Sequence, residues 1–168
     1  MDHLWTPWRY RYVSALEEDG GARATCVFCR ILSSSRCDRE SLIVHRGERN
    51  FVILNRYPYT SGHMLVIPYA HHATLGEASE RTAAEMVRLT RILERMLFDL
   101  YSPDGVNIGM NIGRAAGAGV CGHIHMHVLP RWTGDSSFVA VVGETRVLPE
   151  ALAQTWDRAR EWFGRQPV

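Results

Sequence analysis

The chain has 168 residues, of which 46% are hydrophobic and 22% charged, and its formal net charge at pH 7 is +1. This length and composition predict one globular domain over residues 1–168. The balanced charge offers no whole-molecule attraction to nucleic acid or to a membrane surface, and no apolar run reaches the ~18 residues of a membrane-spanning helix. All 19 basic residues are arginine, which excludes a lysine nucleophile.

The N-terminal region, residues 1–24, predicts an arm and a linker. Its first residues lack the charged and apolar regions of a secretory signal, so we expect a cytoplasmic protein. Residues 4–13 are rich in aromatic residues and arginine, and residues 14–24 are polar. The arm is expected to cover a sheet edge, with docking over a partner subunit or a base as the alternative.

Cys26 and Cys29 form a C-x-x-C pair, which is typical of either a redox site or a zinc hairpin. Four cysteines are too few and too unevenly spaced for a secreted disulfide scaffold, which favours metal binding. A closed tetrahedral site would need two more ligands. Cys37 and Cys121 have no partner at ligand spacing and are expected to be free thiols.

Three short strands are predicted next, over residues 42–44, 51–54 and 63–68. Gly47 and Asn50 mark the turn between the first two strands. Asn55 ends the second strand and His63 begins the third. On the residues alone, Asn55 is expected to cap a turn and His63 to be an ordinary strand-end residue.

A long helix is predicted from residue 80 to residue 99, with Ser79 as its N-cap. Apolar residues recur along it at intervals of three and four, while arginine and glutamate occupy the other faces. This stripe is expected to pack across the sheet and consists of Met86, Leu89, Leu93, Met96 and Leu100.

Residues 106–112 alternate between apolar residues and Asn or Gly, which predicts a fourth strand, and residues 113–119 form a glycine-rich loop. Small residues allow backbone N–H groups to approach a phosphate closely. Asn111, just before this loop, can donate from its side-chain amide.

Residues 122–132 contain three histidines that alternate with apolar residues. Strand side chains repeat with period two, so we expect His123, His125 and His127 on one face and Ile124, Met126 and Val128 on the other, with Pro130 ending the run. Imidazoles that face a pocket can act as base, acid, nucleophile or metal ligand near neutral pH.

After this segment, residues 138–142 predict another strand, and residues 149–165 a C-terminal helix that begins at Pro149. Its apolar stripe is Leu152, Trp156, Ala159 and Phe163. The predicted fold is α+β, with an antiparallel sheet of about five strands, a long helix packed across it and the C-terminal helix. The domain comprises the arm and linker (1–24), a core (25–145) and the C-terminal helix (149–165).

The His-apolar-His-apolar-His sequence followed by two apolar residues resembles the signature of the histidine-triad (HIT) family of nucleotide hydrolases and transferases. Asn55, His63-x-Leu65-Val66-x-Pro68 and the glycine-rich loop also resemble this family. The resemblance implies a HIT-like fold and nucleotidyl transfer through a covalent nucleotidyl-histidine, with no catalytic metal.

Residue by residue, the resemblance implies that His125 is the nucleophile, that His127 binds phosphate oxygens and helps to protonate the leaving group, and that His63 lies close to the reacting phosphorus. The implied substrate-binding residues are Asn55, at the ribose, and Asn111, Gly117, Ala118 and Gly119, at the phosphates. Many family members have a glutamine in this loop that the present chain lacks, which shifts the expected phosphate contacts to the backbone and Asn111.

In family members with a C-x-x-C pair, two histidines complete a structural Zn²⁺ site, and the resemblance implies Cys26, Cys29, His71 and His123 here, with His72 as the weaker choice for the first histidine. The rival interpretations are a zinc hydrolase with three histidine ligands and metal-bound hydroxide, and an inactive nucleotide-binding module.

Residues 4–9, 54–59 and 130–132 resemble bacterial members assigned as diadenosine tetraphosphate phosphorylases. The expected substrate is therefore diadenosine tetraphosphate or a related dinucleoside polyphosphate, with inorganic phosphate or water as acceptor. Hydrolysis of adenosine phosphoramidates is the alternative within the family. A homodimer is also expected, and no nucleic-acid or membrane partner.

Overall fold

The computed structural model describes residues 26–135 and 150–165. The predicted N-terminal arm, the strand predicted over 138–142 and Pro149 lie outside the described residues. The strands are β1 (Ile43–Arg46), β2 (Asn50–Leu54), β3 (Met64–Pro68), β4 (Gly105–Gly109) and β5 (Met126–Arg131). The helices are α1 (Val27–Ser33), α2 (Asp38–Ser41), α3 (Glu80–Tyr101) and α4 (Leu152–Gly164). None of the described helices is both long enough and apolar enough to cross a membrane.

The five strands form one sheet in the order β1-β2-β3-β5-β4, in which every neighbouring pair is antiparallel. The predicted α+β fold with an antiparallel sheet of about five strands is therefore confirmed. Strand β5 lies between β3 and β4, and His127 is aligned with Leu65 on one side and with Gly109 on the other.

The alternation of side chains gives the sheet two different apolar faces. One face packs against α3 and α4 through a cluster that includes Val52, Val66 and Val128. The other face packs against α1 through a second cluster that includes Phe28, Phe51 and Leu65. Because Leu65 and His127 are cross-strand partners, the histidine side chain lies on the α1 face.

Helix α3 begins as predicted, because the Ser79 hydroxyl accepts a hydrogen bond from the backbone N–H of Thr82. The predicted stripe is buried except for Leu100, which is half-buried. The helix also holds the turn between β1 and β2, since the Glu85 carboxylate accepts hydrogen bonds from the backbone N–H groups of Glu48 and Arg49 and from the side-chain amide of Asn50, each at 2.8 Å.

Two predicted strands are shorter in the structure than their sequence patterns predict. Strand β4 ends at Gly109 rather than at residue 112, and β5 begins at Met126 rather than at residue 122. Pairing between β3 and β5 starts only at Val66 and Met126, because the preceding chain turns towards the loop that follows β3, where the N–H of Ile124 donates to the carbonyl of His72. This departure from the ladder carries two of the three histidines away from the strand.

Pro130 lies within β5 rather than after it, paired with Val106. Strand β3 pairs with β5 only as far as Val128, so Pro130 lies beyond the β3–β5 ladder. Its missing N–H therefore removes no hydrogen bond from that ladder. The Pro130 carbonyl accepts a hydrogen bond from the Thr60 hydroxyl, which fixes the loop before β3.

Helix α4 packs against β1 and α3 through Ala159 and Phe163, as predicted, and also through Trp162, which the predicted stripe omits. The indole N–H of Trp162 donates to the Asp99 carboxylate at 2.8 Å, and that of Trp156 donates to the carbonyl of Ile43 at 2.9 Å.

Candidate active site and metal centre

Two cysteines and two histidines converge beside the beginning of α1. Cys26 is the N-cap of α1 and Cys29 lies in its first turn, while His71 follows β3 and His123 precedes β5. Their ligand atoms all lie within 4.8 Å of one another. The Nδ1 atom of His123 is 3.4 Å from the Cys26 Sγ and 3.7 Å from the Cys29 Sγ, and the Nδ1 atom of His71 is 3.4 Å from the Cys29 Sγ.

The orientation of His123 suits a metal ligand. Its Nε2 atom is 2.9 Å from the carbonyl of Pro68, and a carbonyl can only accept, so Nε2 carries the proton and Nδ1 directs its lone pair at the cysteines. Burial lowers the pKa of His123 to about 4, although its hydrogen bond to Pro68 opposes that effect, so the ring is neutral at pH 7. Burial likewise raises the pKa of the Cys26 thiol.

The spacing of these four residues fits one metal ion. Zinc–sulfur and zinc–nitrogen bonds of about 2.3 and 2.1 Å place tetrahedral ligands about 3.6 Å apart, close to the sulfur–nitrogen separations of 3.4 and 3.7 Å around His123. The four residues implied by the resemblance can therefore hold a metal ion without a large rearrangement.

The two ring nitrogens of His125 differ in their hydrogen bonding. The residue is 4% exposed, and its Nδ1 atom is 2.9 Å from the backbone carbonyl of His123. Nδ1 must therefore carry the proton, which leaves the lone pair on Nε2. Burial lowers the pKa of His125, partly offset by that hydrogen bond, and so favours the neutral ring. The Phe28 ring packs edge-on against it, with the ring centroids 5.3 Å apart.

His127 and His63 form a hydrogen-bonded pair with a defined direction. The backbone N–H of Tyr59 donates to the Nδ1 atom of His63 at 3.1 Å, so this nitrogen accepts. His63 must then donate from Nε2 to the Nδ1 atom of His127, 2.9 Å away. His127 consequently carries its own proton on Nε2, where it can be donated to a ligand.

The three histidines of the triad therefore face three different partners. His123 faces the cysteines, His125 faces the backbone carbonyl of His123, and His127 faces the ring of His63. A zinc site with these three histidines as ligands would require their nitrogens to meet at one point. Within residues 26–135 and 150–165, the one group of three or more potential ligands is the Cys₂His₂ cluster. This geometry disfavours the metal-hydroxide interpretation.

The loop before β3 contains one predicted and one unpredicted residue of the site. Asn55 accepts from the backbone N–H of Tyr57, which is the turn-capping role expected from the residue alone, and its Nδ2 atom is 3.3 Å from the Nδ1 atom of His63. Tyr59, absent from the sequence-based set, contacts the rings of His63 and His127. An aromatic residue four positions before His63 was the available signal.

The glycine-rich loop closes partly on itself. A short 3₁₀ turn lets the N–H of Gly117 donate to the carbonyl of Arg114, and the N–H of Ala118 to that of Gly113. Two of the backbone donors expected to face a phosphate are therefore engaged within the loop. Asn111 is half-buried beyond the end of β4, at the entrance to the loop, and Gly119 follows the turn.

Comparisons with known proteins agree with this geometry. Residues 37–134 match the HIT domain family model. The chain is 35% identical over 171 residues to the "AP-4-A phosphorylase" of Mycobacterium tuberculosis, covering 99% of this chain and 87% of that protein. It is also 33% identical over 116 residues to the "Protein hit" of Bacillus subtilis, covering 69% of this chain and 77% of the relative.

Solved structures show the same fold. A zinc-bound histidine triad family protein from Mycobacterium smegmatis superposes with a TM-score of 0.68 at 31% identity, covering 86% of this chain and 96% of that one. A hypothetical histidine triad nucleotide-binding protein from Sulfolobus tokodaii superposes with a TM-score of 0.63 at 33% identity, covering 81% and 90%. The chain belongs to the HIT family.

Proposed function

We propose that the protein is a nucleotidyltransferase that cleaves diadenosine tetraphosphate, or a related dinucleoside polyphosphate, through a nucleotidyl-histidine on His125. The observation that carries the proposal is the orientation of this ring, which is buried, tied at Nδ1 to a carbonyl and left with a lone pair on Nε2. The name of the M. tuberculosis relative, "AP-4-A phosphorylase", supports the choice of substrate.

In the first step, the Nε2 lone pair of His125 attacks the α-phosphorus of the substrate. The nitrogen–phosphorus bond forms as the bond from phosphorus to the bridging oxygen breaks, and the electron pair leaves with ATP when the substrate is diadenosine tetraphosphate. The ring gains positive charge as the bond forms. The hydrogen bond from Nδ1 to the His123 carbonyl stabilises that charge.

His127 donates a hydrogen bond from Nε2 to the leaving oxygen, and His63 orients it. A neutral donor is matched to this leaving group, because a polyphosphate departs as an anion and does not require a full proton.

Asn111 and Gly119 hold the phosphates in this proposal, together with Gly117 and Ala118 once the turn between them opens to the ligand. Asn55 contacts the ribose through its side-chain amide. In the second step, an oxygen of inorganic phosphate or water attacks phosphorus, the nitrogen–phosphorus electron pair returns to the Nε2 atom of His125, and a proton carried by the attacking oxygen is released to the solvent. Phosphate as acceptor gives ADP, and water gives AMP.

Cys26, Cys29, His71 and His123 hold a structural Zn²⁺ in this proposal, in agreement with their donor set and spacing. Four protein ligands leave no open position, so the ion would stabilise the fold and not take part in the transfer. It would join α1 to the segment that carries His123, two residues before the nucleophile.

The test is turnover of diadenosine tetraphosphate with and without inorganic phosphate. ADP and ATP formed only when phosphate is present would establish a phosphorylase, and AMP and ATP formed without it would establish a hydrolase. Turnover of an adenosine phosphoramidate alone would support the alternative substrate class. Nucleotide binding without turnover of any of these compounds would contradict the proposal and indicate an inactive module.

A homodimer is part of the proposal. Strand β4 is an edge of the sheet in the chain as described, and Ile108 and Ile112 are 46% and 40% exposed beside it. Pairing of this edge with a second copy would satisfy its backbone groups and cover these side chains. Sedimentation velocity should give a dimer mass, and a monomer at micromolar concentration would contradict this part.

A further inference from the structure

We propose that Tyr59 is a positioning residue for the transfer step, holding the His63–His127 pair so that the Nε2–H of His127 meets the leaving oxygen. This inference rests on the proposed function, in which His127 donates to that oxygen.

The backbone of Tyr59 sets the direction of the pair. Its N–H donates to the Nδ1 atom of His63 at 3.1 Å and thereby forces the proton of that ring onto Nε2. The proton on Nε2 in turn makes His127 accept at Nδ1 and carry its own proton on the opposite nitrogen. A backbone N–H is suited to fix this direction because it can donate a hydrogen bond but can never accept one.

The Tyr59 ring supports both imidazoles from the side. Its centroid is 4.7 Å from that of His63, with the planes inclined by 47°, and 6.1 Å from that of His127, with the planes inclined by 12°. The two imidazoles are themselves in contact, with centroids 5.1 Å apart. The three rings form one packed group, so removal of the Tyr59 ring gives both histidines room to rotate.

A simple packing role for Tyr59 would have a different consequence from a positioning role. Loss of packing would lower stability or the active fraction, and it would slow all substrates by the same factor. Loss of the hydrogen bond to the leaving oxygen would slow a substrate in proportion to how strongly its leaving group depends on that bond. Two esters of AMP with leaving groups of different basicity therefore separate the two roles.

The experiment compares single-turnover formation of the adduct from the p-nitrophenyl and phenyl esters of AMP. In each case the His125 nitrogen–phosphorus bond forms, the phosphorus–oxygen bond breaks and the electron pair leaves on the phenol oxygen. We expect Tyr59→Leu to slow the phenyl ester about tenfold or more and the p-nitrophenyl ester less than threefold, with little change in the half-saturating concentration. Tyr59→Phe keeps the ring and the backbone N–H and should restore both rates.

Tyr57→Leu is the matched control, because this tyrosine belongs to the same loop and is 65% exposed. It should leave the ratio of the two rates unchanged. Comparison of two esters on one preparation cancels any difference in folded fraction, and Tyr59→Met provides a second variant if Tyr59→Leu folds poorly.

Equal slowing of both esters by Tyr59→Leu, or failure of Tyr59→Phe to restore the ratio, would overturn the positioning role and leave the proposed function intact. Absence of an adduct from both esters in the unmodified protein would overturn this inference, and absence of an adduct from diadenosine tetraphosphate as well would overturn the proposed function.

Discussion

Gly62 is the position at which a single methyl group should disturb both the fold and the candidate site. It immediately precedes His63 and has φ of +83°, which an alanine adopts at a cost of about 1–2 kcal/mol. A Cβ there would lie 3.0 Å from the Tyr101 Cε2 atom and 3.2 Å from the Leu97 Cδ2 atom, both on α3. Overpacking of this kind costs roughly a further 1–3 kcal/mol, so Gly62→Ala should lose roughly 2–5 kcal/mol.

Gly134→Ala is the control for Gly62→Ala. Gly134 has nearly the same φ, +81°, but a Cβ at this position would meet no atom of the described residues within 4 Å beyond its chain neighbours. This variant should show the conformational cost alone, about 1–2 kcal/mol, or roughly 2–8 °C in melting temperature for a domain of this size. Urea unfolding of both variants measures the difference, and adduct formation should slow roughly tenfold in Gly62→Ala only, because His63 shifts. Equal loss of stability in the two variants would refute the steric argument.

The remaining predictions concern the hydrogen bonds by which Glu85 holds the turn between β1 and β2, called the Glu85 clamp below, and the metal centre. Glu85→Gln should lose about 2 kcal/mol, because whichever oxygen becomes NH₂ leaves a backbone N–H without an acceptor. Burial alone would raise the pKa of Glu85, but hydrogen bonds from Asn50 and the backbone lower it. The stability that the Glu85 carboxylate contributes is therefore fully present above the ordinary glutamate pKa of about 4.3. It is lost as the pH falls through the lower pKa that Glu85 has in the folded protein. Urea titrations from pH 7 to 3 should show a shallower acid loss in Glu85→Gln, and parallel curves would contradict the assignment. Cys26→Ser should lower bound zinc and melting temperature together, measured by atomic emission and calorimetry, and unchanged metal content would exclude this centre.

The positions that the sequence predicts best are those with a strong local period. Alternation across residues 123–128 correctly places Ile124 and Val128 in the cluster that packs against α3 and α4, whereas His127 lies on the opposite face of the sheet. The stripe of α3 is equally well defined, since its 22 residues repeat the pattern over six turns.

Features that depend on tertiary contact were not predictable in the same way. The direction of the His63–His127 hydrogen bond depends on donors that reach the Nδ1 atom of His63 only in the folded chain, namely the backbone N–H of Tyr59 and the side-chain amide of Asn55. The Glu85 clamp joins residues 35 to 37 positions apart. Strand ends at Gly109 and Met126 depend on where the partner strand stops, which local alternation does not encode.

The resemblance to the HIT family brought His71 into the metal set, because nothing in its immediate sequence distinguishes it from His72. The structure distinguishes them, since the Nδ1 atom of His71 faces the Cys29 Sγ, whereas the carbonyl of His72 holds Ile124. The choice between these two histidines therefore depends on their positions in the folded chain, because their spacing along the sequence does not separate them.

Isolation of the covalent intermediate tests the central claim most directly. The protein is mixed with diadenosine tetraphosphate in the absence of inorganic phosphate, quenched within the first turnover and analysed by intact mass and peptide mapping. We predict one acid-labile AMP bonded to the His125 ring, and no adduct in His125→Ala, whose turnover should fall by several orders of magnitude. Full turnover by His125→Ala, or an AMP bonded to a different residue, would contradict that claim.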